Sequence, residues 1–233
     1  MAFGGALVFG LTGFGSALIT IPLATHFVPL QFALALFALV DFACAFSVGL
    51  EKPANAVKAE WTRLVPMILA GTALGVTALV SLPRAAGMLA LGVFVFGYAL
   101  YSLARRESRG VIAPAWAWPA GLAGGVTSAL FGAGGPPYAI YLSQRGLTKE
   151  QFRATMGFAT MTSISIRVVA FLITGLLLVP EVWLAALGAV PAALAGLYVA
   201  RRVYFRISRE QLLRAVALVL LAAGGSLVLR ALG

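Results

Sequence analysis

The stretch "SALFGAGGPPYAIYL", residues 128–142, decides the fold, because it interrupts a segment that is otherwise apolar enough to form a membrane helix. Its centre contains Gly132, Gly134, Gly135, Pro136 and Pro137. Both residue types destabilise the interior of an ordinary helix. At the middle of a membrane, irregular backbone is tolerated only where it is buried in protein or lines a polar cavity. The stretch therefore predicts a broken helix whose tip is buried in protein or lines a polar cavity.

The composition places this break in a membrane protein. Of the 233 residues, 61% are hydrophobic and 10% are charged, whereas soluble domains have about 25% charged residues. The mean hydropathy of +1.00 is likewise typical of a membrane protein. The formal net charge of +10 comes from Arg and Lys in short loops, which is typical of cytoplasmic loops and not of a nucleic-acid-binding surface. We expect an all-α polytopic membrane protein whose partner is the lipid bilayer, with no nucleic acid.

The chain offers few residues for metal or thiol chemistry. Cys44 is the single cysteine and His26 the single histidine. These counts exclude an internal disulfide, a cysteine-based metal cluster and a site built from several histidines. We expect no metal, no cofactor and no enzymatic activity.

The apolar runs divide the chain into two similar halves. A run of about 20 residues is long enough to cross a bilayer; the runs are 1–28, 30–50, 61–82, 85–104, 114–145, 153–175, 181–200 and 210–229. The first and fifth runs are both interrupted by glycine. The same 119 residues separate Gly13 from Gly132 and Gly15 from Gly134. We predict one membrane domain of two repeats, 1–108 and 109–233, each a broken segment followed by three spans.

The positions of basic residues predict how these segments cross. Basic residues concentrate in loops 51–63, 105–109, 145–153 and 201–209, whereas 27–31 and 175–181 carry none. If the broken segments are re-entrant hairpins, all four basic loops lie on the cytoplasmic side, as the positive-inside rule requires. Three crossings per half then insert the halves in opposite orientations. This predicts six spans, two re-entrant hairpins, inverted repeats and both termini outside; eight plain crossings are the alternative.

Three stretches resemble the TauE/SafE family of sulfite exporters and related anion-transporting membrane proteins. They are "GLTGFGSALITIPL" (10–23), "GGVTSALFGAGGPPYAIYL" (124–142) and "FRATMGFA" with the later "IR" (152–159 and 166–167). The resemblance covers essentially the whole chain. It implies transport of sulfite, an organosulfonate or a related small anion across the bacterial inner membrane, with a homodimer left open as an assembly. The related thiosulfate carriers rely on several cysteines, and the single Cys44 disfavours that substrate.

The two glycine-rich tips are suited to holding an anion. A helix that starts at a tip presents up to four free N–H groups and about half a positive charge, which makes it a ready anion site. Paired broken segments in two halves also mark the binding site of many transporters. The predicted substrate-binding residues at the tips are Gly13, Phe14, Gly15, Ser16, Gly132, Ala133, Gly134, Gly135, Pro136 and Tyr138.

Two charged residues lie well inside crossing spans, Asp41 in "FALVDFACAF" and Arg167 in "SISIRVVAF". A charge at the bilayer centre costs at least ~2.5 kcal/mol on insertion scales and marks a pathway or a partner. The planar guanidinium of Arg167 suits a sulfonate or carboxylate, and Asp41 suits a proton carrier. A structural Asp41–Arg167 pair is the alternative. The span of Arg167 also has a polar face: Thr155, Thr160, Thr162, Ser163 and Ser165.

The predicted function is a secondary transporter for a small anion, coupled to a proton or another ion. The sequence identifies neither the anion, the direction of transport nor the coupling ion. The alternative function is an aquaporin-like channel, because six spans with two re-entrant half-helices are also the aquaporin plan. The Asn-Pro-Ala tips that aquaporins share are absent from both broken segments.

Overall fold

The computed structural model describes residues 1–12, 16–50, 53–104 and 111–203, and within these ranges the chain is helical without strands. The α-helices in this part of the chain are α1 (Ala2–Thr12), α2 (Ser16–Ala24), α3 (Leu30–Gly49), α4 (Lys58–Ser81), α5 (Arg84–Ala104), α6 (Ala117–Phe131), α7 (Gly135–Ser143), α8 (Lys149–Ile173) and α9 (Pro180–Val203). The prediction of an all-α fold is confirmed for these residues.

Four of these helices are long and apolar enough to cross a membrane: α3, α4, α8 and α9. Helix α5 has a shorter apolar stretch, Ala85–Tyr101. The predicted sixth span, 210–229, lies outside the described residues, as do Gly13, Phe14 and Gly15. The chain is thus a helical membrane protein with at least four candidate spans.

The helices that flank the two breaks are too short to cross. Helices α2 and α7 have nine residues each, α1 has 11 and α6 has 15. At 1.5 Å per residue they extend roughly 14–22 Å, less than the ~30 Å of a hydrocarbon core. Each broken segment therefore consists of two partial helices.

Both broken segments fold back on themselves. A Cβ atom added to Gly5 of α1 would lie 2.3 Å from Cγ2 of Thr20 in α2. A Cβ atom added to Gly124 of α6 would lie 2.0 Å from the ring of Tyr138 in α7. In a continuous helix, residues so far apart along the chain would be separated by roughly 20 Å. We call α1 with α2 the first hairpin, and α6 with α7 the second hairpin.

Glycine and proline make the turn of the second hairpin. Gly132 follows α6 with a φ of 68°, a left-handed conformation that favours glycine. Its N–H donates to the carbonyl of Ser128 at 2.9 Å. Helix α7 then starts at Gly135, with Pro136 and Pro137 in its first turn, where proline is well tolerated because the N–H groups there have no helical partner.

The hairpins are held by close helix packing. Helix α6 lies against α4, and a Cβ on Gly71 would approach the carbonyl oxygen of Leu122 to 2.2 Å. Helix α1 lies against α9, where a Cβ on Gly196 would come equally close to the carbonyl oxygen of Phe3. Helices α3 and α8 pack against each other between these pairs. The two glycines of "GTALG" (71–75) are thus packing residues.

Candidate functional site

A small cavity of about 20 Å³ lies where the two hairpins meet the α3–α8 pair. Its wall includes six residues that the sequence singled out: Ser16, Asp41, Gly132, Gly134, Gly135 and Tyr138. Ser16 begins α2 and Gly135 begins α7, so the starts of both returning helices reach one cavity. A cavity of this size holds about one water molecule.

The wall also contains residues that were not among the predicted site residues: Phe9, Ser128, Thr160, Ser163 and Ile164. Thr160 and Ser163 lie on the polar face of α8, which was the sequence signal that could have identified them. Of the remaining predicted residues, Ala133 is buried at the turn and Pro136 is buried in α7. Arg167 is fully buried but is not part of the cavity wall.

Asp41 and Arg167 form a buried ion pair beside this cavity. Nη2 of Arg167 lies 3.0 Å from Oδ2 of Asp41, and the side chains are 0% and 3% exposed. Ser16 donates from its hydroxyl to Oδ1 of Asp41 at 2.6 Å. Nη1 of Arg167 donates to the carbonyl of Ser128 at 3.1 Å. The pair therefore connects α3 and α8 to both hairpins, and of its two residues only Asp41 lines the cavity.

The glycines of the second tip have no room for a side chain. A Cβ on Gly134 would lie 2.8 Å from the carbonyl oxygen of Gly124 and 2.9 Å from Cβ of Ser128. A Cβ on Gly132 would lie 2.7 Å from Cβ of Ala17 in α2. The absence of side chains lets the two hairpins touch and leaves backbone atoms at the cavity.

The two helix starts differ in the number of N–H donors. The first turn of α2 begins with Ser16, Ala17 and Leu18, each of which has an N–H group. At the start of α7, Pro136 and Pro137 have none. Of the four N–H groups that a helix start normally leaves unpaired, α7 keeps those of Gly134 and Gly135. The second tip is therefore the poorer donor.

Tyr138 links α7 to α8 across the cavity wall. Its hydroxyl donates to Oγ of Ser163 at 3.0 Å, and both side chains are buried. This bond fixes the position of the second hairpin relative to the central helices.

A second buried carboxylate, which the sequence analysis did not single out, lies at the start of α4. Oε1 of Glu60 lies 2.8 Å from Nη1 of Arg63 and 2.9 Å from Nη2 of Arg145. Oε2 accepts from Nε of Arg145 at 3.1 Å and from the hydroxyl of Tyr141. The hydrogen bond to Glu60 raises the pKa of Arg145 above its ordinary value, so this pair stays charged. It fastens the end of α7 to α4.

A larger cavity of about 430 Å³ lies on the side of the molecule that holds residues 27–31. Its wall is mainly apolar and extends to Leu130 and Phe131 at the end of α6. The ring of Phe131 is stacked on that of Phe94 at 5.0 Å. Phe131 precedes Gly132, which lines the small cavity, so the large cavity approaches the second tip.

Comparison with known proteins identifies the family. The family model described as "Sulfite exporter TauE/SafE" matches residues 1–227. No curated protein and no solved structure matches the chain. The chain belongs to the sulfite exporter TauE/SafE family, which confirms the resemblance seen in the sequence. Since this is a family of anion exporters, the chain is a membrane transport protein.

Proposed function

We propose that this TauE/SafE member is a secondary transporter that moves a small anion across the bacterial inner membrane, driven by a coupled proton or other ion. The anion is sulfite, an organosulfonate or a related sulfur oxyanion or carboxylate. One observation carries the proposal: the starts of α2 and α7, contributed by two separate broken segments, line the same cavity as Asp41.

Correspondence between the hairpins supports an inverted-repeat architecture. Helices α2 and α7 have equal length, and Gly5 and Gly124, which each pack against their returning helix, are 119 residues apart. Helix α6 packs on α4 as α1 packs on α9, and α8 contacts α4 as α3 contacts α9. We propose repeats 1–108 and 109–233 that insert in opposite orientations, so that the hairpins enter from opposite faces.

Cysteine labelling tests this topology. Cys44 is buried and is replaced by alanine to give a background without reactive thiols. Single cysteines are then introduced at Arg106, Lys149 and Leu178. We expect Arg106→Cys and Lys149→Cys to react only from the cytoplasmic side, and Leu178→Cys only from outside. Reaction of Arg106→Cys and Lys149→Cys from opposite sides would mean that 114–145 crosses the membrane.

The Asp41–Arg167 pair offers a way to couple a proton to the anion. While Asp41 is ionised, it neutralises Arg167 and presents a negative charge to the cavity. Protonation of Asp41 removes that charge and leaves the guanidinium without a counterion, so an anion is favoured in its place. Proton and anion then enter the site together. A structural role of the pair remains the alternative that the variants below distinguish.

The size of the cavity supports a carrier. A volume of about 20 Å³ suits one water and not an oxyanion, so the proposed carrier widens this cavity when the substrate enters. Movement of this kind around a central site is the general basis of alternating access.

Flux into liposomes tests the proposed function. Purified protein is reconstituted, and uptake of radiolabelled sulfite and of a short-chain organosulfonate is measured against concentration, with and without unlabelled substrate inside. A carrier gives saturable uptake that accelerates with internal substrate. Uptake that rises linearly with concentration and ignores internal substrate would support the aquaporin-like channel. Absence of anion flux would contradict the proposed carrier.

A further inference from the structure

One of the five serine and threonine hydroxyls of α8 has no hydrogen-bond partner in the described part of the chain. Thr155 accepts from the N–H of Val57, and Thr162 accepts from the indole of Trp61. Ser163 accepts from Tyr138, and Ser165 donates to its own helix. Within the described part of the chain, Oγ1 of Thr160 has no hydrogen-bond partner, although the residue is only 6% exposed.

The position of this hydroxyl distinguishes it from a packing defect. Thr160 lines the small central cavity together with Asp41 and the tip of the second hairpin. Threonines inside helices commonly donate to the carbonyl four residues earlier, as Thr20 and Thr77 do here. Thr160 makes no such bond. Because buried polar groups are nearly always paired, a hydroxyl without a protein partner at a cavity is available to a molecule that enters the cavity.

The chemistry of the second tip indicates which class of ligand Thr160 would bind. The start of α7 has lost two of its N–H donors to Pro136 and Pro137. An oxyanion held there needs further donors, and the hydroxyl of Thr160 supplies one from α8. We propose that Thr160 is a substrate-binding residue that donates a hydrogen bond to one oxygen of the transported oxyanion. This proposal rests on the proposed function.

The chain provides a matched control. Thr72 is also fully buried in a helix, and its Oγ1 also has no partner among the described residues. Thr72 lies at the α4–α6 packing contact, where its backbone N is 2.7 Å from a Cβ placed on Gly125. It is not part of the cavity wall. Each substitution therefore removes a buried hydroxyl without a described partner from a helix, but only Thr160 lines the cavity.

The test compares sulfite affinity, measured by calorimetry on purified protein, for Thr160→Val, Thr160→Ser and Thr72→Val. Valine keeps the shape of threonine and removes the hydroxyl. A hydrogen bond to a charged ligand is worth about tenfold or more in affinity, so we expect that loss in Thr160→Val. Thr160→Ser stays within about threefold of the native protein, and Thr72→Val is unchanged. Melting temperature is recorded for each protein, and Thr160→Ala with Thr72→Ala replaces the valine pair if Thr160→Val does not fold.

The outcomes separate the two proposals. If native protein binds sulfite and Thr160→Val binds it equally well, the assignment of Thr160 is wrong while the transport proposal stands. An equal loss in Thr160→Val and Thr72→Val would also overturn it, since the effect would then be one of packing. If native protein binds neither sulfite nor methanesulfonate nor acetate, the proposed function fails and the assignment of Thr160 fails with it.

Discussion

Two arginine–carboxylate pairs among the described residues, Asp41–Arg167 and Glu60–Arg145, have the same chemistry and different surroundings. Glu60 accepts four hydrogen bonds, from Arg63, Tyr141 and twice from Arg145. Asp41 accepts from Ser16 and Arg167, and it borders a cavity. Nε of Arg167 has no partner among the described residues. The saturated pair is suited to fastening helices, and the incompletely bonded pair beside a cavity is suited to exchanging its partner for a ligand.

We expect the largest loss of transport when a side chain fills the small cavity that Asp41 lines. Leucine at Gly134 would collide with Gly124 and Ser128 and occupy the space at the second tip. We expect Gly134→Leu to abolish sulfite flux in liposomes, and Gly15→Leu to do the same at the first tip. Gly188→Leu is the control, because a Cβ at Gly188 meets nothing within 4 Å. Near-native flux in Gly134→Leu protein would show that this tip is not at the site.

We expect the second-largest effect, on stability and on sulfite affinity, when the Asp41–Arg167 pair is broken. Removing one partner of a buried ion pair costs roughly 3–5 kcal/mol of stability. Arg167→Gln should show this loss and should also weaken sulfite binding, since a charged hydrogen bond is worth roughly 1.5–3 kcal/mol. Asp41→Asn should retain binding and lose the pH dependence of flux. Melting curves measure the loss of stability, and calorimetry measures the sulfite affinity. Unchanged affinity in Arg167→Gln would leave the helix starts as the anion-binding elements.

Breaking the Glu60 pair should have a different signature. Glu60→Gln removes the charge that three side chains share, and Arg145→Gln removes two of its hydrogen bonds. Because Arg145 is partly exposed, we expect a smaller loss of stability, about 1–3 kcal/mol. Sulfite affinity should stay within about twofold of native, because the pair lies outside the cavity wall. A loss of affinity as large as in Arg167→Gln would remove the distinction between the two pairs.

The smallest effect is expected for Tyr138→Phe. It removes the hydrogen bond to Ser163, which is worth about 0.5–1.5 kcal/mol, and keeps the ring that packs on Gly124. Although the sequence predicted Tyr138 as a binding residue, its hydroxyl is already bonded to Ser163, so we expect a small decrease in melting temperature with little change in sulfite affinity. Tyr141→Phe, which removes a donor to Glu60, is the comparison at the other pair. A tenfold loss of affinity in Tyr138→Phe would make Tyr138 a binding residue and not a packing one.

The sequence predicted the parts of this structure that follow from local rules. Glycine and proline at 132–137 predicted the break, and isolated charges at 41 and 167 predicted a pair or a pathway. The cavity wall at Ser16, Asp41 and Gly134–Gly135 followed from the same reasoning.

The rest depends on tertiary contacts that have no local signature. Glu60 is one of two acidic residues in the basic loop 51–63, and its partner Arg145 lies 85 positions later. Helical spacing places Thr160 on the side of α8 that holds Arg167 and Thr162 on nearly the opposite side, but only the fold decides which hydroxyl finds a partner. The loss of N–H donors at α7 could have been read from Pro136 and Pro137, but its consequence depends on what faces that tip.

The double variant Asp41→Asn with Arg167→Gln provides the most direct test of the anion site. It removes both charges of the pair, so neither is left buried without a partner, and stability should recover most of the loss seen in Arg167→Gln. We predict that sulfite affinity, measured by calorimetry, does not recover, because the guanidinium that binds the anion is still missing. Recovery of stability and affinity together would contradict the proposal and make Asp41–Arg167 a structural pair like Glu60–Arg145.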